Sequence, residues 1–390
     1  MDELRGIVLC EFCEASILGR PIGRLLNKLL SLLNSESPSG ESCDLCGGLL
    51  SRELGGMLRK ALSKLEGVEI SSLKAGVSLP DILIEREDRI RANYNPPAMR
   101  SLKVTLTKLL DLALNSLTGI KISQDPDAIL IFDLEGGDVK LELAPVFISG
   151  RYRKLQRGIS QSRRKCSACG GRGCEACNWK GKIPQGSVEG IIGEVMREFF
   201  SAEDYVLHGA GREDVDARML GEGRPFVMEL VSPRKRNADL RELESEINKR
   251  AAGLIEVRNL EFSSRERIRI LKEKSPNVKK LYRALVEVEG GISDEELLLL
   301  KRLEGALVKQ RTPKRVLWRR SDITRLKRVY EVNFKRIDDK KFELFVLCDG
   351  GLYVKELISG DDGRTSPSVT EILGKKSFCS ELDVLEVMVE

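Results

Sequence analysis

A mixed α/β (α+β) architecture is expected, with one large central sheet flanked by helices in the C-terminal part and a smaller α/β body before it. Three observations predict it. Beyond residue 186, strand-like stretches outnumber helical ones: Phe226–Val231, Leu254–Phe262, Leu281–Glu289, Val329–Lys335, Phe342–Cys348 and the closing Leu382–Val387. Upstream, leucines recur at helical spacing over Leu102–Leu117, followed by two strand patterns, Asp127–Glu135 and Asp138–Pro145, joined by a Gly136-Gly137 turn. Finally, 390 residues with 41% hydrophobic content are too many for one small core and apolar enough for two or three. Helix starts are marked by Ser263-x-x-Glu266 and Ser293-x-x-Glu296, both of capping-box form.

The cysteines organise the rest of the chain. Eight of the ten fall in Cys-x-x-Cys pairs: Cys10/Cys13, Cys43/Cys46, Cys166/Cys169 and Cys174/Cys177. A two-residue spacer lets both sulfurs of a pair reach one tetrahedral ion, and two pairs make a closed four-thiolate site. The first two pairs, separated by a helix-like stretch Ile17–Leu33 and a Ser/Gly loop Asn34–Gly40, define residues 1–50 as a zinc-binding module of ribbon-like layout. The second two lie within twelve residues, Cys166 to Cys177, where glycines permit a tight reversal but crowding is a concern. They place a second cysteine cluster in a linker, residues 161–185. The single histidine, His208, is too distant in sequence to complete either site. Residues 51–160 read as an α/β module whose paired strands lead into Phe147-Ile-Ser-Gly-Arg-Tyr-Arg-Lys154; this resembles the THUMP domain of RNA-modifying enzymes. Residues 186–390 form the remaining large domain.

Net charge is only +5, so overall charge does not point to a nucleic-acid partner. Its distribution does. Arg151, Arg153, Lys154, Arg157, Arg163, Arg164 and Lys165 occupy 151–165 with no acid among them. Arg311, Lys314, Arg315, Arg319, Arg320, Arg325, Lys327 and Arg328 occupy 311–328 against one Asp322. Two local basic stripes on a near-balanced chain imply polyanion contact at defined places, the alternative being two solvated faces. No apolar run reaches membrane-spanning length, and the start Met-Asp-Glu-Leu-Arg lacks a signal-peptide layout, so a cytoplasmic location and no membrane partner are expected.

The stretch densest in glycine and charge is Gly209–Phe226, which enters an apolar strand and reads as an active-site loop. Within it, Gly211-Arg-Glu-Asp214 has the form Gly-Arg-x-Asp. This resembles the catalytic loop of pseudouridine synthases. Further segments agree in order and spacing: Lys279-Lys-Leu-Tyr-Arg-Ala-Leu285, Gln310–Arg320, Leu352-Tyr-Val-Lys-Glu356, Gly360–Ser368 and Leu382–Val387. Together with the cysteine pairs they make nearly the whole chain similar to archaeal tRNA pseudouridine synthases that modify uridines 54 and 55 of the TΨC loop. The resemblance implies a cofactor-free isomerase acting on tRNA, with structural Zn2+ only and no protein partner. It implies Asp214 as the catalytic carboxylate and Lys355 as the cation that keeps it charged. It also implies Tyr282 stacked on the flipped base near the departing proton, and Tyr353, Arg212, Val354 and Leu382 on the substrate side. Arg234-Lys235-Arg236 and Arg315–Arg320 are expected on RNA-gripping loops. Trp318 departs from the pattern, where a histidine is expected. Asp216 competes with Asp214 for its role. A THUMP-bearing methyltransferase or thiolation enzyme is disfavoured because Gly221-Glu-Gly223 opens no helix, and a non-catalytic zinc-bearing tRNA chaperone is the other alternative.

Overall fold

The computed structural model describes residues 6–34, 42–274 and 278–388. Most of the expected loop Asn34–Gly40 lies outside them. The chain divides into two compact units, 1–145 with 232–237, and 146–231 with 238–390. These limits differ from those read off the sequence. The first cysteine module and the following α/β stretch share one core, the strand at 146–154 belongs to the second unit, and so does the second cysteine cluster.

In the first unit, helices α1 (Glu11–Ile17), α2 (Gly23–Leu32), α3 (Leu49–Leu65), α4 (Asp81–Tyr94) and α5 (Leu102–Thr118) accompany strands β1 (Ser72–Ser78), β2 (Lys121–Ile122), β3 (Ala128–Asp133) and β4 (Asp138–Leu143). The sheet order is β2-β1-β3-β4, with β3 and β4 antiparallel as the Gly136-Gly137 turn requires. The stretch expected as one helix, Ile17–Leu33, is two helices. Gly19 sits between them at φ +62, where an added Cβ would lie 2.4 Å from the Ala98 carbonyl oxygen, and Pro21 follows. Leu106, Leu109, Leu110, Ala113 and Leu114 of α5 are fully buried, which is what their helical spacing foretold. The segment Arg234-Lys235-Arg236 belongs to this unit and is largely tied down. Arg236 pairs with Asp127 at 3.1 Å and donates to the Ala144 carbonyl, and Arg234 donates to the Glu66 carbonyl. Both guanidiniums thus have internal partners, unlike the free RNA-gripping loop expected.

The second unit contains β5 (Val146–Lys154), β6 (Arg164–Lys165), β7 (Lys182–Ile183), α6 (Val188–Phe199), β8 (Asp204–Gly209), β9 (Ala217–Val231), α7 (Leu240–Ala251), β10 (Ile255–Ser263) and α8 (Arg265–Lys274). After these come β11 (Lys279–Val288), α9 (Asp294–Leu299), β12 (Leu307–Arg311), β13 (Thr324–Arg336), β14 (Lys341–Asp349), α10 (Val354–Ser359), β15 (Thr365–Ser366), α11 (Val369–Leu373) and β16 (Ser377–Met388). Ten of the strands form one mixed sheet, ordered β10-β5-β9-β16-β11-β14-β13-β12-β15 with β8 added to β9. This is the large central sheet expected, and its alternating strands bury one continuous core. β9 starts at Ala217, nine residues before the strand read from its sequence pattern, so the irregular loop shrinks to 210–216. Ser293 and Glu296 form the expected capping box. Ser263 does not: it still belongs to β10, and Glu266 pairs with Arg269 instead.

Register positions the chemistry. β16 runs parallel to the start of β9, setting Leu382 beside Ala217, and antiparallel to β11, setting Leu382 beside Ala284 and Val384 beside Tyr282. The loop before β9, the end of β14 and the N-terminus of α10 therefore converge on one end of these strands.

Gly193 of α6 allows the helix to close on this sheet, because an added Cβ would sit 2.1 Å from the Tyr205 ring. Gly193→Ala gains up to about 1 kcal/mol of helix propensity. It is nevertheless expected to destabilise, by about 1–3 kcal/mol from overpacking, and to lower the Tm by several degrees in a thermal melt.

Candidate active site and metal centres

All seven residues singled out in the sequence, Asp214, Tyr282, Lys355, Tyr353, Arg212, Val354 and Leu382, line a single cleft of about 450 Å³ in the second unit. Asp214 is on the 210–216 loop, Tyr282 on β11, Leu382 on β16, and Tyr353 caps the start of α10 with Val354 and Lys355 in its first turn. Tyr353 and Lys355 thus sit at a helix N-terminus, not on a strand. Gln310, itself buried, fixes Tyr353 by donating to its carbonyl at 3.1 Å and accepting from its amide at 2.8 Å.

The carboxylates differ in setting. Asp214 is 30% exposed and Asp216 68% exposed, so Asp214 is the one drawn into the cleft. Its nearest cation is not the expected one. Arg315 lies 3.1 Å from Asp214 Oδ2, whereas Lys355 Nζ is 3.9 Å away and bonds Asp216 at 2.6 Å. Partial desolvation works against the charge on Arg315, but hydrogen bonds with Glu356 and the field of Asp214 more than offset it and raise its pKa. Arg315 is therefore a fixed cation bridging a buried Glu356 and Asp214, rather than a free phosphate grip. Tyr282 is buried, and burial pushes its phenol pKa up, which keeps the ring neutral. Arg212 is exposed on the cleft rim.

Because residues 210–216 lack regular structure, their carbonyls need other partners. Arg224 donates to Ala210 O, Gln161 to Gly211 O, Lys154 to Asp214 O at 2.9 Å and Val215 O at 3.2 Å, and Arg157 to Asp216 O and Leu382 O. Lys154 is wholly buried, its third proton going to Ile159 O at 2.8 Å. Burial pulls its pKa down, against the nearby acids. Arg224 also bonds Glu213 at 2.8 Å with both side chains essentially inaccessible, and Tyr152, the cross-strand neighbour of Arg224, adds its hydroxyl at 3.0 Å.

The first basic stripe is consequently mostly internal. Arg151 bonds the carbonyls of Glu222 and Gly223, Arg153 pairs with Glu256, and Lys154 and Arg157 hold the loop. Arg163 is buried against Glu189 and Asp204. Only Arg164 and Lys165 are fully solvent-facing. From the second stripe, Arg320, Arg325 and Lys327 reach the cleft, and Trp318 is 81% exposed beneath Arg319 at 5.4 Å. Sequence reading gave no role to Glu213, Arg224 and Tyr152, although they lie in stretches it singled out, nor to Gln161. It also missed Lys280, although its two-residue offset from Tyr282 puts both on one face of β11.

Two groups of four cysteines converge, Cys10/Cys13/Cys43/Cys46 and Cys166/Cys169/Cys174/Cys177, each with all sulfurs within 4.8 Å of one another. Sulfurs around a tetrahedral ion bound at about 2.3 Å should lie about 3.8 Å apart. The observed separations are 3.6 Å for Cys10–Cys46, 3.9 Å for Cys166–Cys174 and Cys169–Cys177, and 3.8 Å for Cys174–Cys177. Backbone amides of Gly173, Cys174 and Gly181 donate to sulfurs of the second group, as a negatively charged thiolate set needs. Both groups fit a metal ion, and the short spacing of the second does not cramp it.

The part of the chain with this mixed sheet and cleft, residues 147–388, is matched by the family model described as "Pus10, C-terminal", which places the chain among the pseudouridine synthases. Relatives named "tRNA pseudouridine synthase Pus10" are 85% identical over 96% of this chain and 100% of theirs in Korarchaeum cryptofilum. In Methanocaldococcus jannaschii they are 42% identical over 89% and 75%, and in Pyrococcus furiosus 38% over 97% and 95%. The chain belongs to the Pus10 family.

Lys154→Met would leave the Ile159 carbonyl without its donor and the carbonyls of Asp214 and Val215 with only the amides of Ala217 and Gly158. It is expected to lower kcat by about 100-fold, the scale of an ångström-level displacement, with smaller change in KM for tRNA, read in single-turnover assays.

Proposed function

We propose that this chain converts uridine to pseudouridine at positions 54 and 55 of the TΨC loop, with Asp214 as nucleophile. Family membership makes it a tRNA pseudouridine synthase, an isomerase. The observation that carries the finer reading is the pairing of Asp214 with Arg315 and Lys355 across a cationic cleft from the buried Tyr282. Paired cations keep a carboxylate ionised and available to attack or assist at the ribose–base junction. The N-glycosidic bond breaks, uracil turns, and carbon 5 bonds to the ribose, displacing the Asp214 carboxylate where it has attacked; carbon 5 then gives up its proton and nitrogen 1 takes one up, so the product is an isomer. Tyr282 offers a flat apolar face for the extruded base, and its neutral phenol lies close to where that proton departs. Val354 and Leu382 exclude water from one wall, Tyr353 supports the base edge, and Arg212 meets the incoming phosphates.

The reading extends to the metal groups. Each four-cysteine set holds one structural Zn2+, which stabilises its fold and takes no part in the isomerisation. The first unit acts as a zinc-bearing, THUMP-like tRNA-binding body, and the second cysteine group presents Arg164 and Lys165 to RNA. Among the described residues no helix is long and apolar enough to cross a membrane.

Asp214→Asn is expected to retain binding of unmodified tRNA transcript while abolishing product in base-resolved pseudouridine mapping. Undiminished product at both positions would overturn the nucleophile assignment. Elemental analysis of purified protein should find two zinc ions per chain, falling to one in Cys46→Ser and to one in Cys177→Ser.

A further inference from the structure

Lys280 is 5% exposed, lines the cleft, and has no hydrogen-bond or ion-pair partner among the described residues. A buried amine in that state is costly unless something else meets it. Its cross-strand neighbour is Cys348, fully buried, whose thiol is pushed up to about 12 by burial and stays neutral, so no thiolate balances the lysine. The two acids that line the cleft have cations of their own: Glu213 holds Arg224, and Asp214 holds Arg315. Lys280 instead shares its surroundings with other positive groups. Burial, then the field of Arg224 and more weakly that of Lys327, pulls its pKa down to about 8 against the opposing field of Glu213. Strand pairing explains this company. Lys280 and Val329 both face Cys348 across β14, and Lys327 and Arg325 follow at two-residue steps on β13. The lysine therefore shares a sheet face with Tyr282 on one side and with Lys327 and Arg325 on the other.

We infer that Lys280, with Lys327 and Arg325, forms an anion subsite beside Tyr282 that takes a backbone phosphate of the RNA strand at the extruded uridine. Its role is substrate binding, separate from the carboxylate chemistry, and it rests on the reading of this cleft as the uridine site. An extruded nucleotide brings its phosphate along, and the backbone phosphodiesters, each a monoanion, are where the substrate carries its negative charge. A phosphate meeting a sparsely hydrated amine restores the ammonium's partner and makes a charge-assisted hydrogen bond.

The test uses the full-length protein with unmodified tRNA transcript. Lys280→Met, which keeps the length of the side chain, should weaken tRNA binding about tenfold. It should also reduce the slope of log Kd against log salt by about 0.7–0.9, the value for one lost phosphate contact. Lys280→Arg should recover the slope. A thermal melt matching the native protein shows that Lys280→Met is folded. A synthetic T-arm hairpin with a neutral methylphosphonate at the target nucleotide should weaken binding by native protein and have no added effect on Lys280→Met. An unchanged salt slope in folded Lys280→Met, or a methylphosphonate penalty that persists in full in that variant, would overturn the subsite. Failure of native protein to make pseudouridine while these binding results hold would instead count against the reaction assigned above.

Discussion

A carboxylate on an irregular loop stays in place only as long as the loop's backbone has partners that do not exchange with water. Here most of the donors are side chains, joined by the backbone amides of Gly158 and Ala217. Lys154 reaches up from β5 to the carbonyls of Asp214 and Val215, Arg224 and Gln161 hold Ala210 and Gly211, and Arg157 ties Asp216 to Leu382 of β16. A buried ammonium or guanidinium is unfavourable by itself, and its donors are satisfied only if the carbonyls stay where they are. The loop and its supports therefore specify one another, and the position of Asp214 relative to Arg315 and Tyr282 follows from them.

The same requirement governs where positive charge goes. A chain with 65 basic residues appears well supplied for RNA, yet many of the most tightly clustered are held inside. Arg163 lies between Glu189 and Asp204, and Arg157, Arg218 and Arg283 converge on Asp383, a carboxylate only 1% exposed. Burial opposes ionisation of Asp383, but these guanidiniums more than compensate and hold its pKa below the usual range. The cations that remain toward the cleft, Arg212, Arg320, Arg325, Lys327 and Lys280, come from different elements and are gathered only by the sheet.

Several features were legible in the residues alone. Period-two and helical patterns located β10, β11, β13, β14, β16 and α5 to within a few residues, because each buries one face against a core and its sequence must alternate accordingly. The two-residue cysteine spacing foretold the thiolate groups, since the spacing itself is what lets a turn present two sulfurs to one ion. Leu382 and Tyr282 were found by their motifs, and the structure brings both to the cleft that Asp214 enters.

Other features came only with tertiary structure, for one physical reason: partners of charged groups are chosen across the sheet, over long sequence distances. Arg315 and Asp214 are about a hundred residues apart, and nothing local distinguishes Arg315 from its neighbours in a basic stripe. The same holds for Glu213 with Tyr152, and for the internal use of 151–165. The boundary at 145, with 232–237 returning to the first unit, also lies beyond composition, because it depends on which core each strand joins. Periodicity and ligand spacing are local properties, so the sequence by itself determined the elements, the metal-ready cysteines and the catalytic-loop motif. The pairing of charges is a property of folded neighbours, so only the tertiary structure decided which cation lies nearest Asp214 and which are left facing the cleft.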